Sequence, residues 1–257
     1  MPEINNGGVT ISYSDDGVGR AVVLLHGHTL DRRTWLPVLP RLLDAGLRVI
    51  RPDLRGHGRS DRPNSGYHVS HHATDVTAVL DGADLERATV IGFSFGGGVA
   101  LELAETRPDR VASLGLVATV MPDRPFEPEF MDNLRQVAGV IRSEGIAAAM
   151  AGPWASSPLF RHSFSKPGIR ETVAAIVGSF PGAEFLATER DRVERDWTVP
   201  EKLAGITAAT RVMVGEYEMP GFRAFSEEAA KQIRNATLEV VPDCGHLLPL
   251  EAPDAVA

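Results

Sequence analysis

A chain of 257 residues, 43% of them hydrophobic, is long enough for one large domain that buries roughly three quarters of its unfolded surface. A net charge of -8, a pI near 5.5 and no dense run of Lys or Arg exclude a phosphate-tracking surface, so nucleic acid is not expected as a partner. No segment approaches the length of a membrane span, and Met1-Pro2-Glu3-Ile4-Asn5-Asn6 is neither a positive leader nor an apolar stretch. With a single cysteine, Cys244, no internal disulfide can form, and the expectation is a soluble cytoplasmic protein without membrane contact.

Short β-branched runs alternate with helical patterns along the chain. Strands are predicted at residues 9–14 and 21–25, a helix at 31–45, a strand at 49–52, a helix at 70–82, a strand at 88–91, a helix at 96–107 and a strand at 111–118. The alternation lapses over residues 121–199, where Pro122, Pro125, Pro128, Pro153, Pro158, Pro167 and Pro181 punctuate helical patterns and no strand stands out. It resumes with a strand at 210–214, a helix at 221–234 and a strand at 237–241. Uninterrupted apolar strands are covered on both faces, so the fold class is α/β: a mostly parallel, doubly wound, twisted sheet flanked by helices. The expected organisation is one integrated unit, with residues 1–120 and 200–257 forming the core and 121–199 an inserted helical cap. Most of the cap's aromatic residues should pack; a minority, with Phe126 and Trp154 as candidates beside Trp35 of the core, should line an apolar pocket. The final residues read as the opening turn of a helix with Pro253 at its start.

The segment Gly92-Phe93-Ser94-Phe95-Gly96 sits between a strand and a helix, where a nucleophile elbow requires it. The glycines remove Cβ atoms that would block so tight a reversal, and the helix behind aims its N–H groups at the place where an oxyanion would form. Three further motifs follow the ends of predicted strands: Leu25-His26-Gly27-His28, Asp53-Leu54-Arg55-Gly56-His57-Gly58-Arg59-Ser60 and Asp243-Cys244-Gly245-His246. These four motifs, in this order, resemble the α/β-hydrolase superfamily, and within it the bacterial enol-lactonase and esterase group, over most of the chain and more weakly between about 121 and 199.

That resemblance implies Ser94 as nucleophile, His246 as its base, and two backbone N–H groups, those of Phe95 and His28, as the oxyanion hole. It also implies a terminal helix longer than the sequence contains. Relatives usually place Asp in a segment resembling G-E-x-D after the strand at 210–214, whereas this chain reads Gly215-Glu216-Tyr217-Glu218. Glu218 aligns with that aspartate and can orient an imidazole if its extra methylene is accommodated. Asp123, after the preceding strand, is the alternative acid, and Glu216 stays open. His26 and His57 read as structural, as do Asp53 and Arg55, expected to satisfy loop backbone groups. A reactive Cys244 is less apt than a small residue filling a turn. His68, His71 and His72 show no metal-ligand spacing and read as a solvent-facing cluster at a helix start; no metal or cofactor is expected.

The function implied is hydrolysis of a carboxylic ester or lactone of a small, largely apolar substrate through an acyl-enzyme. Dehalogenases and epoxide hydrolases of this fold use Asp where this chain has Ser94, and carbon-carbon hydrolases often carry Trp after the histidine where this chain has Leu247, which leaves them a lesser alternative. Gly96-Gly97-Gly98 weakly resembles cofactor-free haloperoxidases. A non-hydrolytic cyclase, lyase or ligand-binding role is the reading from a different class, favoured only by Glu218. Oligomeric state has no signature in the sequence.

Overall fold

The computed structural model describes residues 1–119, 126–187 and 199–257. Among these, the apolar runs form one eight-stranded sheet: β1 (Glu3–Asn6), β2 (Val9–Asp16), β3 (Arg20–Leu25), β4 (Leu47–Pro52), β5 (Ala88–Phe93), β6 (Val111–Val117), β7 (Ala209–Gly215) and β8 (Ala236–Val241). The spatial order is β1-β2-β4-β3-β5-β6-β7-β8. β2 runs antiparallel to both β1 and β4, and every other neighbour is parallel, as expected for a doubly wound sheet. The helices are α1 (Leu39–Asp44), α2 (Val69–Gly82), α3 (Phe95–Thr106), α4 (Pro128–Glu144), α5 (Ile146–Ala149), α6 (Ile169–Val177), α7 (Ala183–Leu186), α8 (Val199–Gly205), α9 (Pro220–Gln232), α10 (Leu248–Glu251) and α11 (Pro253–Val256).

Side chains alternate across a strand, so each strand feeds two cores. In β3, Val23 and Leu25 join Val76, Leu80, Val99 and Leu103 of α2 and α3 on one face. Val22 and Leu24 join Trp35, Leu42, Phe93 and, from beyond β6, Phe130, Trp154 and Val173 on the other. Helices α4 to α8 lie between β6 and β7 in sequence, and no strand occurs among the described residues there. Among the described residues no helix is long and apolar enough to cross a membrane.

All seven predicted strands form; six extend beyond the predicted bounds by one or two residues, and β6 ends one residue early. The eighth, β1, escapes prediction because Glu3-Ile4-Asn5-Asn6 has one apolar residue and pairs only with β2 at the sheet edge. The single helix expected at 31–45 is instead a 3₁₀ turn, Arg32–Trp35, followed by the short α1. Pro37 and Pro40 lack the N–H groups a continuous helix needs. Asp31 caps the turn by accepting from Arg33 N at 2.9 Å.

Helix α3 is buried from Gly96 to Ala104, between the sheet and α2. Its approach to β3 depends on Gly96, where an added Cβ would sit 2.4 Å from Leu25 O and 2.6 Å from His26 O. Both obstacles are backbone and cannot swing aside. Gly96→Ala should therefore cost at least about 2 kcal/mol of stability in urea melts; a loss below about 0.5 kcal/mol would show that the helix can back away freely.

Candidate active site

The loops that follow β3, β4, β5, β7 and β8 meet at the C-terminal ends of these parallel strands, the end of the sheet where open α/β folds place their ligands. Ser94 follows β5 with φ 51° and ψ −117°, a backbone state that costs an L-residue energy and persists only where neighbours enforce it. The enforcement is visible: Ser94 N donates to Val117 O of β6 and Ser94 O accepts from Gly97 N of α3, both at 2.9 Å.

His246, in the loop after β8, places Nε2 3.1 Å from Ser94 Oγ and Nδ1 2.8 Å from Glu218 Oε2. A carboxylate can only accept, so Nδ1 carries the proton and Nε2 turns its lone pair to the serine hydroxyl. The other Glu218 oxygen accepts from Met219 N at 2.9 Å, which fixes the carboxylate without competing for the imidazole. Ser94 is 8% exposed, His246 2% and Glu218 7%, so little water screens these contacts. Phe93 and Phe222 press on the imidazole, with centroids 5.2 and 4.8 Å away. Glu216 has a different partner, accepting from Asp243 N at 2.9 Å through Oε2. Asp123 lies outside the described residues.

The loop after β3 borders the serine so closely that a Cβ on Gly27 would lie 3.3 Å from Ser94 Cβ. The N–H groups of His28 and Phe95, the two expected oxyanion donors, find no backbone acceptor among the described residues. His26 supports this loop from beneath: Nδ1 donates to Gly27 O at 2.8 Å and Nε2 accepts from Leu54 N at 2.9 Å. Burial drives its pKa down to about 4. His57 Nδ1 donates to Arg55 O at 3.0 Å, and burial takes that ring to about 3. Asp53 accepts from Arg32 N at 3.0 Å and Arg59 N at 2.9 Å, while Arg55 donates to Gly66 O at 2.7 Å and chelates Asp75. The motif around them therefore holds loops in place, as its sequence suggested.

The His28 side chain turns to Glu184 of α7 and shares a hydrogen bond with its carboxylate. Burial opposes the charged imidazole, but the charge and hydrogen bond of Glu184 outweigh it and raise the pKa; in return His28 holds the Glu184 carboxyl low against its own burial. Around His28 stand Phe95, Trp154, Phe180 and Phe185, with ring centroids 5.8 to 6.2 Å away. Trp154 donates from Nε1 to Thr29 Oγ1 at 2.9 Å. Phe126 stacks on Phe222 at 5.3 Å, one ring removed from His246. Trp35 is placed differently from its companions: it is fully exposed to none of the crevice, being 0% accessible within the core where its 3₁₀ turn packs on β3, β4 and α10. The pocket expectation for Trp35 is thus corrected to packing, because the turn replacing the predicted helix points the indole inward.

His72 is also corrected. It is fully buried on α2, edge-on to Phe95 at 4.9 Å, and only His71 of the three-histidine cluster is exposed. Its position three residues into an amphipathic helix faces the core. Cys244 is buried, and that burial raises its thiol pKa, so it is protonated at neutral pH. Among the described residues no group of three or more His, Cys, Asp or Glu side chains could hold a metal ion. Glu184 and Glu251 escaped the sequence reading. Glu184 is 156 positions from its partner and has no motif; Glu251, five residues after His246, offered proximity as its only signal.

Several known proteins are similar to this chain over nearly its whole length. A thermophilic esterase from Thermogutta terrifontis is 31% identical, with a TM-score of 0.82 over 99% of this chain and 94% of that one. Est816, described as an N-acyl homoserine lactone degrading enzyme, is 29% identical, with a TM-score of 0.76 over 99% of this chain and 96% of its own. A non-heme haloperoxidase of Rhodococcus erythropolis is 28% identical over 93% of this chain and 90% of its length. The α/β-hydrolase fold follows from the sheet and these neighbours together. Residues 22–257 match the model of the alpha/beta hydrolase family, and the chain belongs to that family.

Proposed function

We propose that this protein is a serine hydrolase that cleaves a carboxylic ester or lactone of a small, largely apolar substrate through an acyl-enzyme. The observation that carries the reading is the continuous hydrogen-bonded series from Glu218 through His246 to Ser94, held on a strained turn. The Ser94 hydroxyl proton passes to His246 Nε2 as Oγ attacks the carbonyl carbon. The oxyanion is received by the N–H groups of His28 and Phe95. Collapse expels the alcohol oxygen, which takes the proton from His246; water, activated by the same nitrogen, then releases the acid. Glu218 keeps the imidazole in the required tautomer and faces the imidazolium that forms.

The esterase and the lactone-degrading enzyme among the similar structures support this chemistry. Helices α4 to α7 act as the cap, and Trp154, Phe180 and Phe185 beside His28 supply an apolar lining for the substrate. The test is covalent labelling. A fluorophosphonate should modify the folded protein stoichiometrically at Ser94 and leave Ser94→Ala unmodified, while p-nitrophenyl acetate or a simple lactone is turned over. A folded protein that neither labels nor hydrolyses a graded series of p-nitrophenyl esters and lactones would instead favour a non-hydrolytic member of the family.

A further inference from the structure

The loop that carries His246 is clasped by a carboxylate that the chemistry above leaves unused. Glu251 Oε2 accepts from Gly245 N at 2.9 Å, and Glu251 Oε1 accepts from Leu247 N at 2.9 Å. These are the amides immediately before and after His246. Oε1 also accepts from Ser163 Oγ at 2.6 Å, so a residue of the helical segment fixes the carboxylate in turn. The fit is close, since a Cβ on Gly245 would lie 3.0 Å from Ser163 Oγ and 3.1 Å from His162 Cβ.

We infer that Glu251 is a positioning residue of the active site, setting the place of the His246 imidazole by holding both peptide units that flank it, with Ser163 as its support. The inference rests on the proposed role of His246 as base. A carboxylate reaching back to the N–H of a helix's cap residue is a familiar cap, and Leu247 is the residue that caps α10. A cap alone, however, needs no bond to Gly245 on the far side of the histidine. The two-sided clasp restrains the peptide units on both sides of His246, whose Nε2 lies 3.1 Å from Ser94 Oγ, and a displacement near 1 Å there is enough to cost roughly 100-fold in rate. Glu251 touches neither Ser94 nor the imidazole, so its effect must act through the backbone.

Glu251→Gln tests this directly. Its amide nitrogen would meet one loop N–H as donor against donor, releasing one side of the clasp while keeping size. With p-nitrophenyl acetate, kcat should fall roughly 10- to 100-fold while KM changes less than about threefold, and fluorophosphonate labelling of Ser94 should slow in proportion. Ser163→Ala, which leaves both loop bonds in place, should lower kcat by no more than about fivefold. Should Glu251→Gln fail to fold by circular dichroism, Glu251→Asp replaces it under the same criteria, being one methylene too short to span both amides. A folded Glu251 variant with kcat within about twofold of wild type, or one in which KM rises and kcat holds, overturns the positioning role. The hydrolase reading fails separately, if the wild-type protein itself neither labels at Ser94 nor turns over ester.

Discussion

Glu218→Gln is expected to lower ester turnover by roughly 10³- to 10⁴-fold with little change in KM. The glutamine matches the glutamate in size, but its single oxygen can serve Met219 N or His246 and not both, so it offers His246 either a neutral oxygen or an N–H. In the first case the imidazolium formed during reaction loses its counter-charge; in the second Nδ1 becomes the acceptor and Nε2 turns a proton, instead of a lone pair, toward Ser94. Binding of the neutral ester involves neither effect, so the loss belongs in kcat. Glu218→Asp should fall between the two, because the present bonds to Met219 N and His246 Nδ1 use the full length of the side chain. Turnover within tenfold of wild type in the glutamine variant, together with an inactive Asp123→Asn, would transfer the acid to the loop after β6.

Acidification from pH 7.5 to pH 5 should cost about 4 kcal/mol of folding stability from His26 and His57 alone. Both rings are buried and held neutral, with pKa values pushed down to about 4 and about 3, whereas in the unfolded chain they titrate near 6.5. Between these values the unfolded state binds more protons than the native state. The stabilisation is therefore complete above about pH 6.5 and drains away as the pH falls toward the folded-state values, at about 2 kcal/mol per ring by pH 5. His72, also driven well below its usual range by burial, acts in the same direction. His28 has the opposite sign: its raised pKa stabilises the protonated fold in acid and gives that up as the pH rises. Urea melts at the two pH values provide the measurement, and His57→Gln should recover about 2 kcal/mol of the difference. A total loss below about 1 kcal/mol would mean that the buried rings gain protons without unfolding.

Much of the site was legible because its residues obey local rules. Ser94 needs a turn that few sequences can make, so the glycines around it report the turn and the strand before it reports where the turn lies. Glu218 could be read from its match to the aspartate that relatives place after the strand equivalent to β7, and the structure sets it 2.8 Å from His246 Nδ1 despite its extra methylene. Contacts made across the fold leave no such trace. Glu184 reaches His28 from a short helix with no periodic pattern, and its value as a partner arises only when α7 meets the loop after β3. The sequence reading put Trp35 and His72 on the wrong side for a related reason: a ring near a site motif can face either solvent or core, and the choice depends on where the helix starts and which face packs, which the prolines at 37 and 40, and the packing of α2 on α3, decide.

The burial of Cys244 turns the chain into its own sensor of loop opening. It is the one thiol in the sequence, lies two residues from His246 and stays shut away and protonated while the loop after β8 is seated. A thiol reagent can reach it only through molecules whose histidine loop has lifted, so the modification rate counts those openings without any label being engineered. Comparing that rate with global unfolding separates a loop that breathes by itself from one that moves only when the whole sheet gives way.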